Sequence, residues 1–316
     1  MITANASTAI PTVEQDMVIN LNVTEYSVPY FTAPYFTVYI QIMYVLIVFS
    51  CLCGLMGNMK VIWLLSFRIK RNTFTTYILN LAVADFGTLL SVLAYIVDVA
   101  CSYLIREYDE HSTFYKFTDV LVFFTYSASM YFLTAISLER ALSVRFPIWY
   151  RCRRPGRSSA VVSFLLWSLS GLLSGMLLLS YLWEANFIVS TNIISITNLL
   201  ICTPLMIASS LTVWIIICRN SWRRQPSKLY VAILVTLLVF IVFGIPLSVS
   251  HFFFYNTEGF PLEVLEATYL LAAVNSSVNP LIYYLVGRDR TRQSRESLKV
   301  VFQRLFKDDT DPREGN

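Results

Sequence analysis

Seven separated runs of apolar residues, roughly 38–66, 74–98, 113–145, 158–182, 190–218, 228–255 and 262–286, constrain this chain more than any motif in it. Crossing about 30 Å of hydrocarbon at about 1.5 Å per residue takes about 20 residues of helix, and every run supplies that. Lipid offers the backbone no hydrogen-bond partner, so each segment must pair its own amides and is read as a helix. The strands of a β-barrel would alternate over about ten residues, which these runs do not. Composition agrees. Apolar residues make up 56% of the 316 and charged residues 14%, with mean hydropathy +0.59, where a soluble chain carries about 25% charged residues. The expected fold is an all-α membrane protein, a seven-transmembrane helix bundle. A net charge of only +4 argues against a nucleic-acid partner, and two histidines exclude a His-rich metal site.

Charge placement then orients the chain. Residues 1–37 contain no Lys or Arg; the loop after the first span has Arg68, Lys70 and Arg71, and the next only Arg106. Arg145, Arg151, Arg153, Arg154 and Arg157 follow, then none in 183–191, then Arg219, Arg223, Arg224 and Lys228, none in 256–266, and a basic tail from Arg288. Alternate loops are basic, which predicts an extracellular N-terminus and a cytoplasmic C-terminus. Two basic residues against twelve acidic ones fall on the outer side, so the modest net charge hides a strong polarity across the membrane. Residues 1–30 lack the basic start and apolar core of a signal peptide, so the first span is expected to direct its own insertion.

The chain divides accordingly into an outer tail (1–37), expected to be disordered, a membrane domain (38–287) and a cytoplasmic segment (288–316). The tail has glycosylation sequons at Asn5 and Asn22. Within the last segment Leu298, Val301, Phe302 and Leu305 share one face, with Arg and Lys opposite, which predicts a short amphipathic eighth helix on the inner leaflet. Of six cysteines only Cys101 lies near the exterior, so no extracellular disulfide is expected.

Polar residues inside spans are costly to keep and mark function by default. Asp85 stands in the second span, with Asn58 in the first as its expected neighbour. In the seventh, Asn275, Asn279 and Tyr283 repeat every four residues and share a face, and Pro280 permits a kink. Ser129, Leu133, Ile136 and Arg140 form a stripe on the third. Asp85, Ser129, Asn275, Ser276 and Asn279 thus suggest a buried, oxygen-rich cluster with one carboxylate, suited either to a hard cation such as sodium or to a hydrated packing network. Glu139–Arg140 at the inner end of the third span is a second candidate, or a snorkelling pair. Lys60 is expected to snorkel toward the inner surface, and Pro204, Pro246 and Pro280 mark hinges or static bends. The third and fifth spans read as the most polar, with Lys116, Asp119 and Asn198 near their outer ends.

In this order the features resemble the rhodopsin-like G-protein-coupled receptors: Gly57-Asn58, Leu81-Ala82-Val83-Ala84-Asp85, Glu139-Arg140, Trp167, Pro204 and Asn279-Pro280-Leu281-Ile282-Tyr283. Within them, Pro147-Ile148-Trp149-Tyr150-Arg151-Cys152-Arg153-Arg154-Pro155 and Thr203-Pro204-Leu205-Met206 look like the Mas-related receptors, most like the Mas-like members. Two departures from the wider family fit that subgroup: Tyr115 stands where a disulfide cysteine is usual, and Gly244 where the sixth span usually has tryptophan. Ala141 replaces the usual tyrosine or cysteine after the acid–arginine pair, and no acidic residue stands near Pro226 to clasp Arg140, which suggests basal activity.

The resemblance implies a plasma-membrane receptor, not an enzyme, with an extracellular peptide or small-molecule agonist, a heterotrimeric G protein and arrestin as partners. It implies no cofactor beyond an allosteric sodium ion at Asp85. Activation would run through Glu139, Arg140, Pro246, Asn279, Pro280 and Tyr283 as the sixth span swings outward. Counting from the motifs, Tyr95, Asp98, Asp119, Phe123, His251, Phe252 and Glu266 fall near the outer cavity; three are acids, which favours a cationic ligand. Leu177 and Asn192 stand where cation-sensing relatives carry an acidic pair, so that specificity is not carried over. A transporter would show repeated halves, and a hydrolase a nucleophile with its base; neither is present.

Overall fold

The computed structural model describes residues 34–69, 71–105, 113–152, 155, 157–220, 228–288 and 298–307. The chain divides into two compact units, Met1–Val38 and Tyr39–Asn316, and only the start of the first helix is described in the former. The described elements are α1 (Pro34–Phe67), α2 (Thr73–Ile105), α3 (Thr113–Arg145), α4 (Pro147–Cys152), α5 (Ser158–Leu182), α6 (Phe187–Ile196), α7 (Thr203–Asn220), α8 (Lys228–Val239), α9 (Ile245–Asn256), α10 (Leu262–Gly287) and α11 (Leu298–Lys307). Short π-helical stretches join α6 to α7 (Thr197–Cys202) and α8 to α9 (Phe240–Gly244). Among the described residues seven helices are long and apolar enough to span a membrane, with α6–α7 as the fifth span, α8–α9 as the sixth and α10 as the seventh. The first helix begins at Pro34, a few residues inside the segment read as tail, and the fifth span begins at Phe187 rather than 190. The sequons at Asn5 and Asn22, and the stretch around Pro226, lie outside the described residues.

Local sequence explains several boundaries. Asn72 and Thr75 cap the second span reciprocally: Thr75 N donates to Asn72 Oδ1 (2.7 Å) and Asn72 N to Thr75 Oγ1 (2.8 Å), so two amides without helical partners are satisfied. Asn186 opens the fifth span by accepting from Ile188 N. Both π stretches sit just before a proline, Pro204 or Pro246. Proline donates no amide, and the preceding turn widens so that Thr203 N reaches Asn198 O and Ile245 N reaches Phe240 O. Gly259 takes φ +73° in the tight turn between the sixth and seventh spans.

Burial differs sharply from span to span. The third span is 89% buried over its most apolar window, against 22% for the first and fourth, so it is the axis of the bundle. The seventh and third spans have the lowest mean hydropathies, 1.3 and 1.6. The fifth, at 2.1, is one of the more apolar, which corrects the reading from Asn198 alone: one buried amide does not make a polar helix. Polar side chains bind the spans together where lipid offers them nothing. Trp167 Nε1 donates to Asn80 Oδ1 (2.9 Å), Ser170 Oγ to Phe124 O (2.6 Å), Asn198 Nδ2 to Ser127 Oγ (3.1 Å) and Ser277 Oγ to Ser50 O (2.8 Å). The eighth helix, α11, closes the base of the bundle by burying Val301 and Phe302.

At Gly54 the first, second and seventh spans come so close that an added Cβ would overlap Ser277 and lie 2.7 Å from Leu89. Gly54→Val is therefore expected to cost about 1–3 kcal/mol, read as a lower unfolding temperature in detergent micelles. An unchanged midpoint would show that the three helices separate freely there.

Candidate functional site

The midplane site is built around Asp85, which is fully buried. Ser129 Oγ of the third span donates to Asp85 Oδ1 (2.6 Å) and Asn279 Nδ2 of the seventh to Asp85 Oδ2 (2.7 Å). One carboxylate thus bridges three spans. Asn58 is in the same network but does not reach Asp85: its Nδ2 donates to the carbonyls of Gly54 (3.0 Å) and Ser276 (2.9 Å), tying first span to seventh. Asn275 and Ser276 are buried on the same helix, and the side-chain oxygens of Asn275 and Asn279 have no hydrogen-bond partner among the described residues. Orphan carbonyl oxygens beside a carboxylate and a hydroxyl are a donor set that fits a hard cation.

Toward the end of the third span that carries Glu139–Arg140, Arg140 is buried with its guanidinium carbon 3.8 Å above the Phe74 ring. Glu139 is half-buried and accepts from Tyr77 Oη (3.2 Å). Beside Arg140 a small gap of about 10 Å³ lies among Ser137, Ser210, Val213, Ile233, Leu234 and Leu237 of the third, fifth and sixth spans. Tyr283 is buried edge-on to Phe302 of α11 (centroids 6.1 Å apart). In the sixth span Phe240 occupies the space beside Gly244, where an added Cβ would lie 2.5 Å from its ring. Tyr126 of the third span donates to Gly244 O (2.8 Å) and sits 3.0 Å from Ser248 Oγ, two residues either side of Pro246.

At the other end, the seven expected cavity residues separate. Asp119 is buried and accepts from Tyr181 Oη at 2.7 Å. Glu266, 6% exposed, accepts at Oε1 from Tyr95 Oη (3.1 Å) and Tyr44 Oη (3.4 Å), and its Oε2 has no hydrogen-bond partner among the described residues. These two acids are not an open rim; each is sunk beneath tyrosine hydroxyls. Asp98 is half-buried, and Phe252 stands apart with its ring 5.6 Å from Phe253. His251 is buried between Leu247 O (2.9 Å) and Tyr269 Oη (3.2 Å), with the Phe123 ring 4.8 Å away.

Ring contacts join the two acids. Tyr181 lies 5.4 Å from Phe187, Phe187 5.5 Å from Tyr255, Tyr255 6.4 Å from His251, His251 5.6 Å from Tyr269, and Tyr269 stacks on Tyr95 at 4.7 Å. An aromatic belt therefore runs from Asp119 to Glu266 through the second, fourth, fifth, sixth and seventh spans. Sequence reasoning found its acids, Tyr95 and His251, but missed Tyr44, Tyr181, Tyr255 and Tyr269. The only signal was the count of 19 tyrosines in so apolar a chain.

A seven-span bundle with an acid–arginine pair at one end, a buried carboxylate at its middle and an aromatic, acid-flanked belt at the other has the layout of a signalling receptor. The model of the family "7 transmembrane receptor (rhodopsin family)" matches residues 57–283. "Proto-oncogene Mas" of Mus musculus is 37% identical over 272 residues, 83% of each chain. "Mas-related G-protein coupled receptor member D" of Homo sapiens is 38% identical over 84% of each chain, and "Mas-related G-protein coupled receptor member X1" of Homo sapiens 39% over 84% of this chain and 83% of its own. The chain belongs to the rhodopsin family of seven-transmembrane receptors, among the Mas and Mas-related G-protein-coupled receptors. It is a multi-pass membrane receptor and not an enzyme.

Tyr181→Phe leaves the buried Asp119 carboxylate without its hydroxyl donor and is expected to cost about 1–3 kcal/mol of stability. Adding Asp119→Asn should recover part of that loss. Thermal unfolding of the two single variants and the double variant measures the coupling; additive losses would show that the pair does not interact.

Proposed function

We propose that this receptor binds an extracellular ligand carrying a cationic group beside an aromatic or apolar one, a basic peptide or amine, and passes the signal to a heterotrimeric G protein. The observation that carries the ligand class is the pair of buried carboxylates, Asp119 and Glu266, at the two ends of one aromatic belt. Tyrosine hydroxyls donate hydrogen bonds to these carboxylates but bring them no positive charge. An ammonium group would supply that charge, and the ring faces of the belt would hold the group as well. A ligand that replaces hydroxyl contacts by charge pairing, and does so better in one arrangement of the spans, shifts the population toward that arrangement. Asp98, less buried, would guide the approach.

On the transducer side, the packing of Ser137, Ser210, Val213, Ile233 and Leu237 around Arg140 supports a resting state. Activation would swing the sixth span outward about the π-turn and Pro246, release Glu139 from Tyr77, free Arg140 from its seat on Phe74, and bring Asn279, Pro280 and Tyr283 inward. A cleft of about 460 Å³ is lined by Arg145, Phe146, Pro147, Ile148, Trp149 and Cys152, just past the third span, with Ile148 79% exposed. It would give the G protein, and arrestin after it, an apolar ledge next to the arginine. Sodium at Asp85, Ser129, Asn275, Ser276 and Asn279 would add positive charge to a buried carboxylate and favour the resting packing. The basic loops support an extracellular N-terminus, with Asn5 and Asn22 of the outer tail as glycan acceptors, and a cytoplasmic α11 and C-terminus at the plasma membrane.

The deciding experiment is ligand-dependent guanine-nucleotide exchange in membranes holding the receptor, screened against cationic, neutral and anionic peptide pools. A cationic hit is expected to lose at least about tenfold in potency with Asp119→Asn or Glu266→Gln. Unchanged potency in both variants and in Asp98→Asn would end the cationic reading while leaving the receptor class intact. Tyr77→Phe should raise ligand-independent exchange per receptor at the cell surface, by about two- to fivefold if one hydrogen bond restrains Glu139. Signalling that stays flat as surface density rises would argue against basal activity.

A further inference from the structure

The first span carries a cation where none is expected. Lys60 lies on the face of that helix turned away from the bundle: Met56, Met59, Trp63 and Phe67 beside it are all exposed, while Asn58, Val61, Leu64 and Leu65 on the other face are buried. Among the described residues no carboxylate pairs with Lys60. Seven residues, about 10 Å of helical rise, separate it from the end of the helix at Phe67. A lysine chain is shorter than that, and its Cα–Cβ bond tilts toward the other end of the helix, so snorkelling alone leaves the ammonium short of bulk water. Its counter-charge has to come to it.

A second cation is folded toward the same place. Arg68, just past the helix end, holds its guanidinium carbon 5.1 Å over the Trp63 ring instead of extending away from the membrane surface. Lys60 and Arg68 thus flank one indole along about two turns of a lipid-facing surface. We propose that Lys60, Trp63 and Arg68 form a binding site for the phosphate of an anionic phospholipid in the leaflet at the Phe67 end of the span. The phosphate sits between the two cations, the indole fills the headgroup–acyl boundary, and the acyl chains run along Met59 and Met56. The site is committed to a lipid because its deeper cation is surrounded by exposed apolar side chains, where a soluble anion has no path.

The test is retention of phosphatidylglycerol by the full-length receptor, reconstituted with a mixture of phosphatidylglycerol and neutral phosphatidylcholine and read by native mass spectrometry. Wild type should keep at least one phosphatidylglycerol in preference to phosphatidylcholine. Lys60→Met and Arg68→Gln should each weaken that retention about fivefold, and Lys60→Arg should preserve it. Methionine suits a lipid-facing position, so Lys60→Met should unfold at the wild-type temperature or higher in neutral lipid, which separates lost binding from lost fold. Equal retention by Lys60→Met and wild type overturns the proposal. So does displacement of the lipid by millimolar inorganic phosphate, which would mark a general anion site.

Discussion

A single buried carboxylate organises the centre of this receptor. Asp85 is shielded from both water and lipid, and removing an unpaired charge to such a place is among the most costly things a fold can do. It persists because Ser129 and Asn279 bring donors from two other helices, and Asn58 ties a fourth helix, the first span, to the seventh in the same layer. Those bonds set how the second, third and seventh helices face one another. Everything nearer either end of the bundle is positioned relative to that layer.

The third helix carries this constraint to both ends. On it, in order, stand Asp119 under Tyr181, Phe123 against His251, Tyr126 on the sixth-span carbonyl, Ser127 on Asn198, Ser129 on Asp85, and Arg140 over Phe74. The helix itself has little room to move, being nearly enclosed. The fifth and sixth spans packed against it each widen into a π-turn ahead of a proline. Tyr126 joins the third helix to the sixth at the second of these π-turns, through Gly244 and Ser248.

The legible parts of the site were those written as local spacing. Asn275, Asn279 and Tyr283 recur every four residues, and helix geometry alone puts them on one face; the stripe from Ser129 to Arg140 follows the same rule. The tyrosines of the outer belt obey no such rule. Tyr181 meets Asp119 across 62 residues and Tyr95 meets Glu266 across 171, so no window of sequence contains either pair. Tyrosine is also unremarkable in a membrane protein, because its amphipathic ring suits the interface wherever it falls. Asn58, expected as a polar neighbour of Asp85, donates to the backbone carbonyl of Ser276 rather than to the carboxylate. A carbonyl that a neighbouring helix leaves accessible has no signature in the sequence.

Hydropathy by itself determined that the chain spans a membrane seven times, and intrahelical spacing determined which polar residues share a face, because both depend only on the distance from one residue to the next. The chain's own order of charges likewise carries its expected orientation. Only the tertiary structure decided that the outer acids are sunk beneath tyrosine hydroxyls rather than displayed, that the third helix is the axis, and that Arg140 rests on an aromatic ring. Those outcomes depend on which helix faces which, and that is settled by buried polar groups finding partners across the bundle, where neither water nor lipid can supply them.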